Sequence, residues 1–133
     1  MTAPVFRERF FQGRVVFVTG GSSGINLGLA EAFGRAGARL AINGRNAEKL
    51  AAAVDGLRAG GVVAEGYAAD VRDYQVLEGA LSKAVTALGP IDVLVCGAAG
   101  NFPAPAMAMS PNGFKAVVDI DLLGTFNACR AAF

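Results

Sequence analysis

The chain has 133 residues, of which 53% are hydrophobic and 17% are charged, with a formal net charge of +1. This length suits one domain with a sizeable core, and the apolar share is too high for a disordered chain. A small net charge without a basic run gives no indication of nucleic acid as a partner. With no histidine and two cysteines the chain cannot form a His/Cys zinc cluster, so no metal is expected.

The apolar stretches of the chain are shorter than a membrane requires. Gly, Pro or charged residues interrupt them before the roughly 20 residues of a spanning helix, although the mean hydropathy is positive. The start, MTAPVFRERF, lacks the apolar core of a signal peptide. We therefore expect a cytoplasmic protein without a membrane partner, with both cysteines filling small apolar gaps.

Strand-like and helix-like segments alternate along the chain. The pattern predicts strands at 15–19, 39–43, 62–68 and 91–95, and helices at 24–36, 47–59, 74–88 and 111–133. The first helix carries Ile25, Leu29 and Phe33 on one face. Asn46 and Asp73 stand where N-caps of the second and third helices are expected.

Repeated strand–helix units with short links predict a parallel sheet that has right-handed crossovers and helices on both faces. We expect an α/β fold, namely a doubly wound sheet with four parallel strands in the order 3-2-1-4. No linker, repeat or low-complexity segment divides the sequence, so residues 1–133 are expected to form a single domain.

The loop after the first strand is the first candidate for function. It reads TGGSSGIN over residues 19–26 and lies between a β-branched strand and a helix. Glycines let the backbone turn sharply and approach a pyrophosphate, whose charge the helix N-terminus stabilises. A structural turn without a ligand is the alternative. The candidate cofactor-binding residues here are Gly20, Ser22, Ser23, Gly24, Ile25 and Asn26.

This loop resembles the TGxxxGxG cofactor loop of the short-chain dehydrogenases/reductases. The resemblance covers the chain from Phe11 onward and implies a Rossmann-like, NADP-binding domain. Asn26 stands where that family has its third glycine, so its side chain is expected to displace the nicotinamide-ribose side slightly. The substitution Asn26→Gly is predicted to leave NADPH binding within a few-fold.

The end of the second strand concerns the choice between NAD and NADP. NAD users place a carboxylate about 20 residues after the glycine loop. Here the residues are Asn43, Gly44 and Arg45, with no acid. A guanidinium at this place can pair with a 2′-phosphate through two parallel hydrogen bonds. The family resemblance therefore implies that Arg45 selects NADP(H). A solvated arginine in front of a helix is the alternative.

The pair Asp70-Val71 follows the third strand. It resembles the Asp-Val pair of the family, in which the acid meets the adenine edge and the apolar residue packs near the ring. Asp70 could equally be a turn residue that accepts hydrogen bonds from nearby backbone groups.

The loop after the fourth strand, CGAAGNF over 96–102, differs from the usual Asn-Asn-Ala-Gly of the family. It resembles the subgroup of 2,4-dienoyl-CoA reductases, particularly the peroxisomal type. The resemblance implies that Ala98 and Gly100 pass the adenosine ribose. Asn101 and Phe102 are candidate residues for the lining of the substrate mouth. A loop-capping Asn beside a core Phe is the alternative for the last two.

Asp121 in the last helix is the candidate catalytic residue. It stands where most family members have the helix asparagine of their Asn-Ser-Tyr-Lys tetrad, which agrees with the same subgroup. Helical spacing places it on one face with Val117, Gly124 and Ala128, and a buried carboxylate is costly unless it is paired. The alternative is an acid bonded to backbone or to Lys115.

The Tyr-x-x-x-Lys pair that transfers protons in this family is absent. Tyr67 is followed four residues later by Val71, and Tyr74 by Glu78. In whole family members the catalytic Ser, Tyr and Lys come after the point where this chain ends. The 133 residues are therefore expected to be inactive by themselves.

The resemblance implies an NADP(H)-dependent oxidoreductase with a small-molecule substrate, which is a 2,4-dienoyl-CoA thioester if the subgroup holds. A generic carbonyl or 3-oxoacyl thioester reductase and a truncated dinucleotide-binding module without turnover are the alternatives. The 111–133 helix is apolar around most of its circumference, which predicts a homo-oligomer that pairs through it.

Overall fold

The computed structural model describes residues 7–101 and 103–133, and these contain one four-stranded parallel sheet. Its strands are β1 (Val15–Thr19), β2 (Arg39–Gly44), β3 (Ala64–Ala68) and β4 (Val93–Cys96). They lie in the order β3-β2-β1-β4, with Val16 of β1 between Leu40 of β2 and Val93 of β4. The doubly wound α/β fold and the strand order expected from the sequence are confirmed.

The helices are α1 (Gly24–Arg35), α2 (Ala47–Ala59), α3 (Tyr74–Leu88), α4 (Pro111–Val118) and α5 (Gly124–Ala132). A short 3₁₀ turn spans Ala106–Ala108. Both predicted caps form, because Lys49 N–H donates to the Asn46 side chain at 2.9 Å and Val76 N–H donates to the Asp73 side chain at 3.2 Å. The second and third helices therefore begin where the capping residues predicted.

Two hydrophobic cores lie on opposite faces of the sheet. Alternate residues of β1 point to opposite faces, with Phe17 toward α3 and α5 and Val18 toward α1 and α2. Both side chains are fully buried. A central strand covered on both faces is apolar on both faces, which explains why 15–18 is a continuous apolar run rather than an alternating one.

Helix α1 turns a different face to the sheet from the one expected. Ile25 is 84% and Leu29 is 41% exposed, and Phe33 alone of the three predicted residues packs against the core. The contact with the sheet is made by Ala30, which is fully buried, together with Leu27. A small residue at the contact lets the helix approach the sheet, and this leaves Ile25 at the open end above β1.

The last helical segment is continuous but not uniform. The backbone stays in the right-handed helical region at Val118 and Leu123, while Gly124 N–H bonds to the Asp119 carbonyl five residues back. Residues Asp119–Leu123 therefore form a π segment inside the predicted 111–133 helix. Such segments occur frequently at functional sites, and this one contains Asp121.

The two cysteines lie side by side, at the end of β4 and on α5. Their sulfur atoms are 3.9 Å apart. Burial, and secondarily the neighbouring Cys129, raises the pKa of the Cys96 thiol to about 11. Cys96 packs against the core as expected, but Cys129 is exposed, so the prediction that it fills an apolar gap is wrong.

Candidate functional site

A cleft of about 740 Å³ lies at the carboxyl ends of the strands, where the loops after β1, β2, β3 and β4 meet. It spans the point between β1 and β4 at which the strand order reverses, the place where open α/β sheets bind ligands. Gly100 is the single expected cofactor-binding residue that does not line it. The expected residues that do are Gly20, Ser22, Ser23, Gly24, Ile25, Asn26, Arg45, Asp70, Val71 and Ala98.

The N-terminus of α1 opens into this cleft without a side-chain cap. Asn46, Asp73 and Ser110 cap α2, α3 and α4 through side-chain hydrogen bonds, whereas Ser23 makes none to α1 and its first turn holds no acid. The first N–H groups of a helix lack intrahelical partners and carry partial positive charge. Those of α1 are therefore available to an anion in the cleft.

Two positions in the loop after β1 require glycine, each for a different physical reason. Gly20 has φ +63°, and a Cβ there would lie 2.7 Å from the Cα of Ala98. Gly24 has φ +59°, and a Cβ there would meet nothing within 4 Å because it would project into open space. The first glycine lets the loops after β1 and β4 touch, and the second leaves room in front of the helix. This cradle fits the phosphates of a dinucleotide.

The loops after β1 and β4 are also tied by hydrogen bonds from Thr19. Its hydroxyl oxygen accepts from the N–H groups of Gly97 and Ala98, each at 3.1 Å. Thr19 is 1% exposed, so this junction is part of the buried interior. The buried Thr19 side chain thereby links the loops after β1 and β4.

The end of β2 presents cations to the cleft and no carboxylate. Asn43 is buried, and its amide donates to the carbonyls of Tyr67 at 3.0 Å and Ala69 at 3.1 Å, so it joins β2 to β3. Arg45, whose side chain is 61% exposed, lines the cleft together with Lys49 from the first turn of α2. Lys49 was not among the residues expected from the sequence.

Asp70 is engaged mainly by Arg72. The Arg72 guanidinium donates to both carboxylate oxygens, at distances of 2.6 to 3.1 Å, and its backbone N–H donates to Oδ1 at 3.0 Å. These hydrogen bonds hold the pKa of Asp70 below its ordinary value, with Arg45 a weaker contributor at 4.0 Å. Asp70 therefore accepts hydrogen bonds within its own turn and also lines the cleft. Among the described residues, the Arg45 guanidinium makes only the 4.0 Å contact with Asp70, so its donors are available to a ligand.

Val71 is where α5 meets the cleft. It is buried, its carbonyl accepts from the Asn127 amide at 2.9 Å, and a Cβ at Gly124 would lie 2.5 Å from its Cγ2. Only glycine at 124 lets α5 approach this closely. Asn127 is itself buried, so the hydrogen bond fixes the helix against the loop after β3.

The Asn26 side chain points toward the loop after β4. Its amide donates to the Gly97 carbonyl at 2.7 Å and to the Gly20 carbonyl at 3.3 Å. The Asn26 side chain therefore joins two loops by direct hydrogen bonds, and its expected displacement of the nicotinamide-ribose side stays a prediction. Sequence position alone could show the departure from glycine but not this partner.

Asp121 anchors the far part of the β4 loop. Its Oδ1 accepts from the Gly100 N–H at 2.9 Å, while Lys115 pairs with Asp119 instead. A Cβ at Gly100 would lie 2.6 Å from Ile120, so Gly100 packs on the π segment and not in the cleft. Asp121 itself is half-buried and does not line the cleft.

Of the two expected substrate residues, only Asn101 lies among the described residues. Asn101 is exposed and does not line the cleft, and Phe102 lies outside the described residues. Within 7–101 and 103–133, no helix is long and apolar enough to cross a membrane, and no three metal-ligating side chains cluster.

The parallel sheet, the glycine-rich strand-to-helix turn and the cleft at the switch point define a Rossmann-fold protein. The family model described as short chain dehydrogenase matches residues 14–133, and the chain belongs to this family. Fold and family imply a nicotinamide dinucleotide as the cofactor.

Known proteins resemble the chain over most of its length. A peroxisomal 2,4-dienoyl-CoA reductase of Arabidopsis thaliana is 43% identical over 96% of this chain and 43% of its own. A 3-dehydrosphinganine reductase of the same plant is 42% identical over 90% of this chain and 35% of its own. The structure of a citronellol catabolism dehydrogenase of Pseudomonas aeruginosa PAO1 superposes with a TM-score of 0.90 at 32% identity, covering 97% of this chain and 53% of that one.

These comparisons confirm the resemblance to 2,4-dienoyl-CoA reductases. The chain spans less than half the length of the plant reductases that it matches. The expected cytoplasmic location is wrong, because the plant relative and those of Saccharomyces cerevisiae and Rattus norvegicus are peroxisomal enzymes by name. Composition and a lack of apolar segments cannot distinguish the interior of one compartment from another.

Proposed function

We propose that the protein containing this chain is an NADP(H)-dependent oxidoreductase that reduces 2,4-dienoyl-CoA thioesters, with this chain as its cofactor-binding portion. The observation that carries the proposal is the uncapped N-terminus of α1, which faces the same cleft as Arg45 and Lys49. A pyrophosphate and a 2′-phosphate are two anions at separate points of one molecule, and the cleft offers a donor set for each.

The residues of this chain divide the work of binding. The α1 N–H groups would hold the pyrophosphate, while Arg45 and Lys49 would hold the 2′-phosphate and Val71 would pack near the adenine. NADPH, when bound, supplies the hydride. Asp121, which does not line the cleft, would help to deliver a proton to the substrate through water. Asn101, exposed next to Gly100, remains the candidate contact at the substrate mouth.

The choice of substrate rests on the relatives and on the AAGNF stretch at 98–102. A carbonyl reductase is the second candidate, because a 3-dehydrosphinganine reductase matches the chain at almost the same identity. The experiment is to follow NADPH consumption by the natural protein with a 2,4-dienoyl-CoA and, separately, with a 3-oxoacyl-CoA. Faster turnover of the dienoyl thioester is expected, and turnover of the 3-oxoacyl thioester alone contradicts it.

Residues 1–133 by themselves are expected to bind the cofactor without turning it over. No Tyr-x-x-x-Lys pair occurs in this sequence, so the usual proton donor of the family is lacking. Purified 1–133 should oxidise NADPH no faster than a buffer control with either thioester. Clear turnover would require a different proton donor within these residues.

A homo-oligomer that pairs through the 111–133 helix is also part of the proposal. Leu122 is 69% and Phe126 is 58% exposed, and Phe114 and Leu123 are exposed as well. Apolar patches of this kind are rare on soluble monomers. Sedimentation velocity on the natural protein at tens of micromolar is expected to give a species larger than the monomer, and a single monomer peak contradicts pairing.

A further inference from the structure

The Asn26 amide occupies the space that a side chain at Gly97 would need. A Cβ built on Gly97 would lie 2.3, 2.4 and 2.5 Å from Oδ1, Cγ and Nδ2 of Asn26, and these are its three nearest atoms. Real Cβ contacts are never this short. Gly97 has no positive φ, so its backbone conformation does not require glycine. The neighbouring Asn26 side chain is the reason that no side chain fits there.

Gly97 is held on two sides by side chains from the β1 end of the cleft. Its N–H donates to the buried Thr19 hydroxyl at 3.1 Å, and its carbonyl accepts from Asn26 Nδ2 at 2.7 Å. The Asn26 amide also donates to the Gly20 carbonyl at 3.3 Å, which lies in the glycine-rich loop after β1. The loop after β1 and the loop after β4 are thus joined by both Thr19 and Asn26.

We propose that Asn26 is a positioning residue that sets the separation of the glycine loop and the β4 loop, and that Gly97 is its obligatory small partner. The role of this pair in nucleotide affinity rests on the proposed function, whereas the packing of the two residues does not. Asn26 and Gly97 act as one unit. The Asn26 amide fits only because residue 97 has no side chain, and the amide in that space joins the two loops.

The pair acts at one end of the cleft. Asn26 belongs to the first turn of α1, where a pyrophosphate would lie, while Arg45 and Lys49 mark the other end. Loss of the Asn26 bonds frees the phosphate-binding wall and leaves the β2 end intact. Asn26→Gly is therefore expected to weaken NADPH about tenfold, which replaces the few-fold effect expected from the sequence. Adenosine 2′,5′-bisphosphate, which lacks the pyrophosphate and nicotinamide, should change less than about twofold.

The test is a double-mutant cycle on the natural protein with Asn26→Gly, Gly97→Ala and both together. Melting temperature and the dissociation constants of NADPH and adenosine 2′,5′-bisphosphate are measured for each. Gly97→Ala alone is expected to lower the melting temperature and to weaken NADPH about as much as Asn26→Gly does, since its Cβ displaces the end of the Asn26 side chain and breaks its hydrogen bonds. In the Asn26→Gly background the same change should be nearly neutral.

Gly28→Ala is the matched control, because Gly28 lies in the same helix and a Cβ there would meet nothing within 4 Å. It should leave both affinities unchanged and should raise the melting temperature slightly, because alanine is a better helix former than glycine. Equal losses from Gly97→Ala with and without Asn26 overturn the pairing, as does NADPH affinity within twofold of wild type in Asn26→Gly. Equal weakening of both ligands overturns the positioning role.

The outcome separates the pair from the proposed function. If the wild type binds neither NADPH nor NADH, the proposed function fails. Melting temperatures of the four proteins still report the coupling, since the collision at Gly97 does not depend on a ligand. Additive melting temperatures in that case overturn the proposal, and non-additive ones support it.

Discussion

Replacement of Arg45 by alanine is expected to weaken NADPH binding roughly 10- to 100-fold and to leave NADH affinity within about twofold. One lost charge-assisted pair with a 2′-phosphate corresponds to about 1.5–3 kcal/mol. NADH lacks that phosphate, so it loses nothing. Fluorescence titration of both cofactors against wild type and variant measures the two effects together.

Two further variants refine the Arg45 result. Lys49→Ala should weaken NADPH less than Arg45→Ala, because an ammonium is a point charge and cannot form the two parallel bonds. Arg35→Ala is the control, since Arg35 is an exposed arginine of α1 that pairs with Glu31 at 3.8 Å and does not line the cleft. Equal affinity of the wild type for NADPH and NADH contradicts the assignment of Arg45.

Acid tests the Asp70 contact. The Arg72 hydrogen bonds lower the folded-state pKa of Asp70, so its carboxylate adds stability above the ordinary pKa of about 3.8, and this is lost as the pH falls through the lower folded value. Asp70→Asn should therefore narrow the gap between melting temperatures at neutral pH and in acid. The effect should be small, because the carboxylate is partly exposed and solvent screens its contacts.

The strands and caps could be predicted because each depends on residues close in sequence. A strand buried on two faces is apolar almost throughout, and β1 satisfies this in four consecutive residues before the buried Thr19. The side chains of Asn46 and Asp73 each accept a hydrogen bond from the backbone N–H three residues further on. Predicted β3 and β4 began two residues early, because Val62 N–H still bonds to Leu57 of α2 and the Asp92 carboxylate takes the Val15 N–H.

The parts of the site that escaped prediction depend on distant partners. Asn26 bonds to Gly97, 71 residues away, and nothing near either residue indicates the pair. In the sequence, Lys49 cannot be distinguished from any solvent-exposed lysine. Only the structure shows that the first turn of α2 lies beside the end of β2. Gly100 was assigned to the cofactor by analogy, but Asp121, 21 residues on, takes its N–H. Local patterns predict elements, and only tertiary structure shows which loops share a wall.

We propose that Asp121 has two separable roles, and Asp121→Asn separates them. Asparagine keeps an oxygen that can accept from the Gly100 N–H, as Oδ1 does now at 2.9 Å, but it cannot hold and release a proton at neutral pH. Turnover of a 2,4-dienoyl-CoA by the natural protein is expected to fall about 10²- to 10⁴-fold, the usual contribution of general acid–base catalysis. NADPH affinity should stay within about twofold.

Asp121→Ala should lower turnover at least as much and should also weaken NADPH several-fold, because the β4 loop loses its anchor at Gly100. Asp119→Asn is the matched control, since Asp119 lies in the same π segment and pairs with Lys115. It should change turnover by less than about threefold. Steady-state rates and NADPH titrations on the three variants decide the matter. If Asp121→Asn retains more than about a tenth of wild-type turnover, Asp121 is an anchor for the loop and carries no proton.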